Sequence, residues 1–299
     1  MLPVGIIGPG AMGGAMAANL LEHRFPVTVR DIDPARERPL RERGARVADS
    51  ASALVRSVDA VFVVVVDAAQ IDQVFAGPDG LLQGLAQRDD AQPAVTVFLC
   101  STISPTDMAR LADQVNAAGG QAVDAPISGG PARARDGSMS MMMAAPTAVL
   151  DAHRGLIDRV AARQFRISTR PGDGARAKLV NNLAAGGYLA IASEALALAE
   201  QVGLDPALVQ KLMMASSGQS WIADDRLSRA MLDDFEPRAA TRVLTKDLTL
   251  ANEMAREAGI PLPVGERALA SFRAACDAGH AEQDDAALWL WYRGRFRRG

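Results

Sequence analysis

The sequence predicts an α/β domain followed by an all-helical one. Short β-branched runs alternate with helical stretches as far as Ser168, several of those runs are apolar at every position, and strand signals cease after Pro171. Continuously apolar strands separated by helices belong to a parallel sheet covered on both faces. A chain of 299 residues suits two domains of ordinary size. The change of character places their boundary at 168/169, giving domains 1–168 and 169–299.

The elements follow in order. Val4-Gly5-Ile6-Ile7 reads as a strand, Ala11 to Glu22 as a helix and Val27 to Arg30 as a second strand. Val61 to Val66 is apolar at every position and Val95-Thr96-Val97-Phe98-Leu99 repeats the pattern, so both faces of each are expected to be buried. Lys178 to Val202 is rich in Ala and Leu with no strand signal. Further helices are expected over Pro206–Ala215, Asp224–Leu232, Val243–Glu257 and Val264–Ala278, punctuated by Gly203, Gly218, Gly259 and Gly279. The basic tail from Arg293 through Arg297 and Arg298 reads as a frayed, solvated end.

Composition narrows the function. Apolar residues are 49% of the chain, but there are only eight Phe, three Trp and two Tyr, so the cores must be built from Ala, Val, Leu, Ile and Met. The 32 basic and 35 acidic groups nearly balance, and a net charge of −3 argues against a nucleic-acid partner. Cys100 and Cys276 lie far apart with no Cys/His ligand spacing, so neither a disulfide framework nor a metal site is expected. A reducing, cytoplasmic setting fits that usage. No apolar run reaches the ~18 residues of a membrane helix, and the N-terminus has no basic region of a signal peptide, so no membrane partner is expected.

Gly8-Pro9-Gly10-Ala11-Met12-Gly13 is a G-x-G-x-x-G that follows a strand and opens a helix. In such a turn the first glycine permits the tight bend, the second admits a pyrophosphate and the third lets helix and sheet pack closely. The helix N-terminus then faces the phosphates. Pro9 stiffens the turn and leaves the Ala11 and Met12 N–H groups free to donate. Asp31 directly follows the second strand, where a carboxylate accepts the ribose hydroxyls of NAD and repels the 2′-phosphate of NADP. Arg30 blurs that choice slightly. NAD is the expected cofactor.

Three further constellations point to chemistry. Cys100-Ser101-Thr102 ends a strand, which places Thr102 where an α/β sheet binds its ligand, with Ser104 suited to cap the helix from Pro105. Ser128-Gly129-Gly130, within Asp124-Ala125-Pro126-Ile127-Ser128-Gly129-Gly130, offers a hydroxyl and consecutive N–H groups suited to a carboxylate; a plain turn is the alternative. Lys178 and Asn182 share a helix face. Ala177, Leu179, Val180, Leu183, Ala184 and Ala185 surround that lysine in the sequence. Such company marks a Lys that is either snorkelling or functional, and desolvation would lower its pKa toward proton transfer.

Together these elements resemble the 3-hydroxyisobutyrate dehydrogenase family of β-hydroxyacid dehydrogenases. The likeness runs through Ile6 to Asn19, Asp124 to Gly130, Gly172 to Asn182, Ser216 to Trp221, Lys246-Asp247-Leu248 and Gly279 to Asp285, in order over essentially the whole chain. The resemblance implies a Rossmann-type dinucleotide-binding domain joined by a long interdomain helix to an all-α domain used for substrate and oligomerisation. It implies Lys178 as the proton-transfer residue. The substrate carboxylate falls to Ser128, Gly129 and Gly130, with Asn182 orienting the substrate and Trp221 closing the pocket. Gly8, Pro9, Gly10, Ala11, Met12, Gly13, Asp31, Val66, Thr102 and Lys246 are the expected cofactor residues. The implied partners are a small carboxylate-bearing substrate and a second copy or copies of the chain, as a homodimer or homotetramer. Asp67 stands where many members have Pro, and Leu99 replaces a common Asp. Asp67 to Gln70, Ser104-Pro105 and Ser220-Trp221 look closer to the branch acting on L-threonate and similar sugar acids. A catalytically silent NAD-binding sensor and an imine reductase of the same superfamily are the alternatives.

Overall fold

The computed structural model describes residues 1–89 and 91–296, which pack as two units dividing between Lys178 and Leu179. In the first unit, β1 (Val4–Ile7), β2 (Val27–Arg30), β3 (Arg46–Val47), β4 (Ala60–Val63), β5 (Thr96–Leu99), β6 (Gln121–Asp124), β7 (Ile127–Ser128), β8 (Ser140–Ala144) and β9 (Arg163–Ser168) form one sheet. Its order is β3-β2-β1-β4-β5-β6-β8-β7, with β9 against β8. The pairings from β3 through β6 are parallel, whereas β8 runs antiparallel to β6 and β7. The strand order reverses direction between β1 and β4, and the crevice outside the carboxyl ends of such strands is where α/β sheets bind ligands.

Alternate residues feed two apolar clusters, one on each face. Ile6, Phe62 and Phe98 join Met16 and Leu20 of the Ala11–Glu22 helix on one side. Ile7, Val61, Val63, Val97 and Leu99 meet Leu54, Ile71 and Leu111 on the other. This is why β1 and β4 carry no polar side chain on either face. The Phe62 and Phe98 rings stack at 4.6 Å, and burying each such ring contributes about 1.5–3 kcal/mol. Met139, just before β8, and Met141 and Met143 of β8 fill the same layer, and Met142 on the strand's other face is also buried.

β1, the Ala11–Glu22 helix and β2 have the expected bounds. The Val61–Val66 run does not remain a strand to its end. β4 stops at Val63, because Asp67 accepts the Gln70 N–H at 2.9 Å and starts the Ala68–Phe75 helix. Ser104 caps the Pro105–Ala117 helix through the Asp107 N–H at 3.0 Å, as expected.

The Asp173–Gln201 helix opens in the first unit and runs on into the second, which adds helices Pro206–Met214, Trp221–Ala230, Thr241–Glu257, Pro263–Ala275 and Leu288–Phe296. The Trp221–Ala230 helix begins earlier than Asp224, since Ser220 accepts the Ala223 N–H at 3.2 Å. Leu189, Leu196, Leu227, Leu248, Phe272 and Trp289 build the core of this unit. A side chain on Gly186 would meet Leu248 at 2.7 Å, so the glycine permits close approach of the Thr241–Glu257 helix. Buried Arg226 lies 2.6 Å from Asp285 and 4.0 Å from Asp284, and Arg229 reaches Asp284 at 3.0 Å.

Two expectations need correction. The basic tail is not frayed over Arg293 to Phe296, which ends a helix. There Arg293 holds Glu200 at 2.6 and 2.9 Å and lies over the Trp289 ring; Arg297 and Arg298 lie outside the described residues. The Asp173–Gln201 helix does have the length and mean apolarity to cross a bilayer, but half of its most apolar window is buried within the protein, as in a core helix. On its other side Val180, Ala184, Tyr188, Ile191, Ala195, Leu198 and Val202 recur at three- and four-residue steps, and its large members are exposed.

Candidate active site

At the carboxyl end of β1 the chain turns through Gly8, whose φ of +82° suits glycine. A Cβ there would lie 2.5 Å from the Val64 carbonyl oxygen, and one on Gly13 would lie 2.4 Å from the Gly8 carbonyl oxygen. These two glycines are required by packing. Gly10 is different: an added Cβ would meet only the Arg36 guanidinium, at 3.2 Å. No side chain caps the Ala11–Glu22 helix, and its first turn carries no acid. An open glycine before an uncapped helix N-terminus fits a pyrophosphate. Pro9, Ala11 and Met12 complete the turn.

Asp31 follows β2 and is buried, accepting the Asp33 N–H at 2.9 Å. Its own N–H donates to Glu37 at 2.7 Å. At the end of β4, the Val66 N–H donates to the Gln70 side chain at 2.9 Å. Beyond β5 the Ser101 hydroxyl donates to the Val65 carbonyl at 2.7 Å, tying the two strand ends together beside half-buried Thr102.

Asp124, the last residue of β6, was not singled out from the sequence. Its Oδ2 accepts N–H groups from Gly172 at 2.8 Å, Gly174 at 2.9 Å and Ala175 at 3.2 Å, the opening turn of the Asp173–Gln201 helix. A side chain on Gly174 would approach Asp124 Oδ1 to 2.7 Å. Burial pushes the Asp124 carboxyl up to about 6, against the opposing pull of those three donors. The clamp fixes the start of the helix to the strand-end edge, and Lys178, one turn further on, is buried with 6% exposure. Ser128 ends β7, paired with Ser140 of β8, and is followed by Gly129 and Gly130 at φ +141° and +75°. Nothing lies within 4 Å of a Cβ built on Gly130, so that backbone is open to a ligand.

In the second unit, Asn182 donates to Asp247 Oδ2 at 2.6 Å, and Lys246 Nζ lies 2.9 Å from Asp247 Oδ1. Asp247, itself buried, therefore joins two predicted site residues and was missed in the sequence. Trp221 is exposed at the head of its own helix. Among the described residues no group of three or more His, Cys, Asp or Glu side chains could hold a metal ion.

The strand order and the glycine turn that opens the first helix define a protein with a Rossmann-type dinucleotide-binding domain. Residues 3–169 match the family model described as the NAD binding domain of 6-phosphogluconate dehydrogenase, and residues 172–292 that described as NAD-binding of NADP-dependent 3-hydroxyisobutyrate dehydrogenase. The chain is 31% identical over 292 residues to the L-threonate dehydrogenase of Escherichia coli strain K12, covering 97% of this chain and 95% of that one. It is 32% identical over 308 residues to the 3-hydroxyisobutyrate dehydrogenase of Pseudomonas aeruginosa, covering 99% and 100%. A solved 3-hydroxyisobutyrate dehydrogenase from Salmonella typhimurium superposes with a TM-score of 0.88 at 32% identity, covering 97% and 100%. The chain belongs to the 3-hydroxyisobutyrate dehydrogenase family of NAD(P)-dependent hydroxyacid dehydrogenases.

Proposed function

We propose that the protein oxidises a small hydroxy acid, of the 3-hydroxyisobutyrate, glycerate/tartronate-semialdehyde or L-threonate type, with NAD preferred over NADP. Bound NAD supplies the hydride acceptor for the carbinol carbon. Lys178 takes the hydroxyl proton as the carbonyl forms, Ser128, Gly129 and Gly130 hold the carboxylate, and Asn182 orients the substrate. Trp221 covers the pocket, while Val66, Thr102 and Lys246 contact the cofactor. The L-threonate dehydrogenases among the relatives make four-carbon sugar acids the first substrates to try.

The observation that supports this reading is the Asp124 clamp, which pins to the end of β6 the opening turn of the helix that carries buried Lys178. Proton transfer needs such positioning before it needs a tuned pKa. We place the NAD-binding domain at 1–168 and the substrate and oligomerisation domain at 169–299. The apolar stripe of the Asp173–Gln201 helix supports assembly with further copies, and the unpaired cysteines suit the cytoplasm.

Lys178→Ala tests the proton-transfer role. Steady-state kcat on the best acid of a three- and four-carbon panel should fall ~10²–10⁴-fold, with NADH affinity by fluorescence titration unchanged. Lys178→Arg should not rescue, because a guanidinium stays protonated. Retention of more than about a tenth of kcat by the alanine variant removes Lys178 from the chemistry.

A further inference from the structure

The sequence left Arg30 as a cation beside Asp31 that could welcome a 2′-phosphate. The structure shows what occupies it. Glu37, on the Pro34–Glu42 helix, is buried, and one of its oxygens, Oε1, accepts both the Asp31 backbone N–H at 2.7 Å and Arg30 Nη1 at 3.3 Å. The Arg30 guanidinium is thus bound one carboxylate oxygen away from the backbone of the ribose-binding residue. A second cation, Arg36, overhangs Gly10 and is paired with Asp33 at 3.6 Å. Arg30 and Arg36 are thus each matched by an acid, Glu37 and Asp33, and Asp31 adds a further negative charge beside them.

We propose that Glu37 is a specificity-determining residue for the cofactor: by engaging Arg30 it withholds that cation from a 2′-phosphate and keeps the ribose end negative. Discrimination against NADP then rests on Glu37 together with Asp31. This builds on the NAD preference proposed above, but concerns the direction in which the preference moves, whatever its starting value. The shared oxygen gives Glu37 a second task, holding the Asp31 N–H, so the informative substitution keeps an acceptor and removes only the charge.

The test is fluorescence titration of NADH and NADPH, without any hydroxy acid, against the full-length wild type, Glu37→Gln, Arg30→Gln and the double variant at one ionic strength. Removing a unit charge several ångströms from a phosphate in a partly solvated site changes affinity by about tenfold. Glu37→Gln should lower the ratio of NADPH to NADH Kd by about that factor, with the NADH Kd little changed. Arg30→Gln leaves Glu37 without its partner cation and should raise the ratio. The double variant, which removes one charge of each sign, should return near the wild-type ratio. A ratio unmoved within about twofold in Glu37→Gln, or moved the same way by both single variants, overturns the proposal. Should Glu37→Gln not fold, Arg30→Gln decides alone, and an unchanged ratio overturns it. Equal wild-type affinities for the two cofactors would instead refute the NAD preference, leaving the shifts between variants to judge Glu37.

Discussion

Replacing Asp124 with Asn retains an oxygen for the Gly172, Gly174 and Ala175 N–H groups and removes the buried charge. Burial raises the wild-type carboxyl from 3.8 to about 6, a difference equivalent to about 3 kcal/mol between its protonated and ionised forms. The folded protein thus binds this proton more tightly than the unfolded chain does. The group's contribution to stability is fully present below 3.8 and is lost as pH rises through about 6. The amide of the Asp124→Asn variant does not titrate, so the stability of wild type minus that of the variant should fall by about 2 kcal/mol between roughly pH 4 and pH 7. Urea unfolding across that range measures it. Trp221, Trp289 and Trp291 all lie in the second unit, so tryptophan fluorescence reports that unit, and the far-UV circular dichroism transition without a fluorescence counterpart reports the first. Stability curves that stay parallel within about 0.5 kcal/mol would show that Asp124 does not titrate there, and a difference that grows with pH would show the sign to be wrong.

Other substitutions probe the remaining features. Gly129→Val places a branched side chain at φ +141°, where a Cβ already comes within 3.0 Å of Arg133. It should raise KM for the acid by about tenfold or more while leaving the NADH Kd unchanged, and equal weakening of both would make the segment a structural turn. Arg226→Ala strands buried Asp285, while Asp284 keeps Arg229, and should destabilise the second unit by about 3–5 kcal/mol in fluorescence-detected urea unfolding; a loss under about 1 kcal/mol would mark the cluster as solvated. Paired Ile191→Glu and Leu198→Glu changes should reduce the mass measured by light scattering to that of the 31.5 kDa chain, whereas an unaltered oligomer would place the interface elsewhere.

Legibility in the sequence followed the range of the interaction. β1, β2 and the glycine turn between them rest on local patterning, and the sequence and structure agree on their bounds. Val64 to Val66 look like strand residues, but the helix cap that follows them outcompetes the ladder. The β7–β8 pairing is short and non-local, with no alternation to announce it. Asp124 reads as the first letter of a substrate motif; its task depends on backbone donors far along the chain, which only the fold brings to it. Asp247 did leave a signal. It falls among Leu244, Leu248 and Ala251 on the buried face of an amphipathic helix, where an acid demands a partner.

The methionines of β8 carry a consequence for repair. In the folded chain Met139, Met141 and Met143 are shielded from peroxide by the sheet and the helices over it. Once unfolded, their thioethers oxidise to sulfoxides, which are polar and cannot return to a dry layer without an unmet acceptor. Oxidative injury should therefore be a one-way ratchet on unfolding events rather than an attack on the native enzyme. Peroxide applied before dilution from urea should abolish refolding, and the same dose applied to the native protein should leave it active.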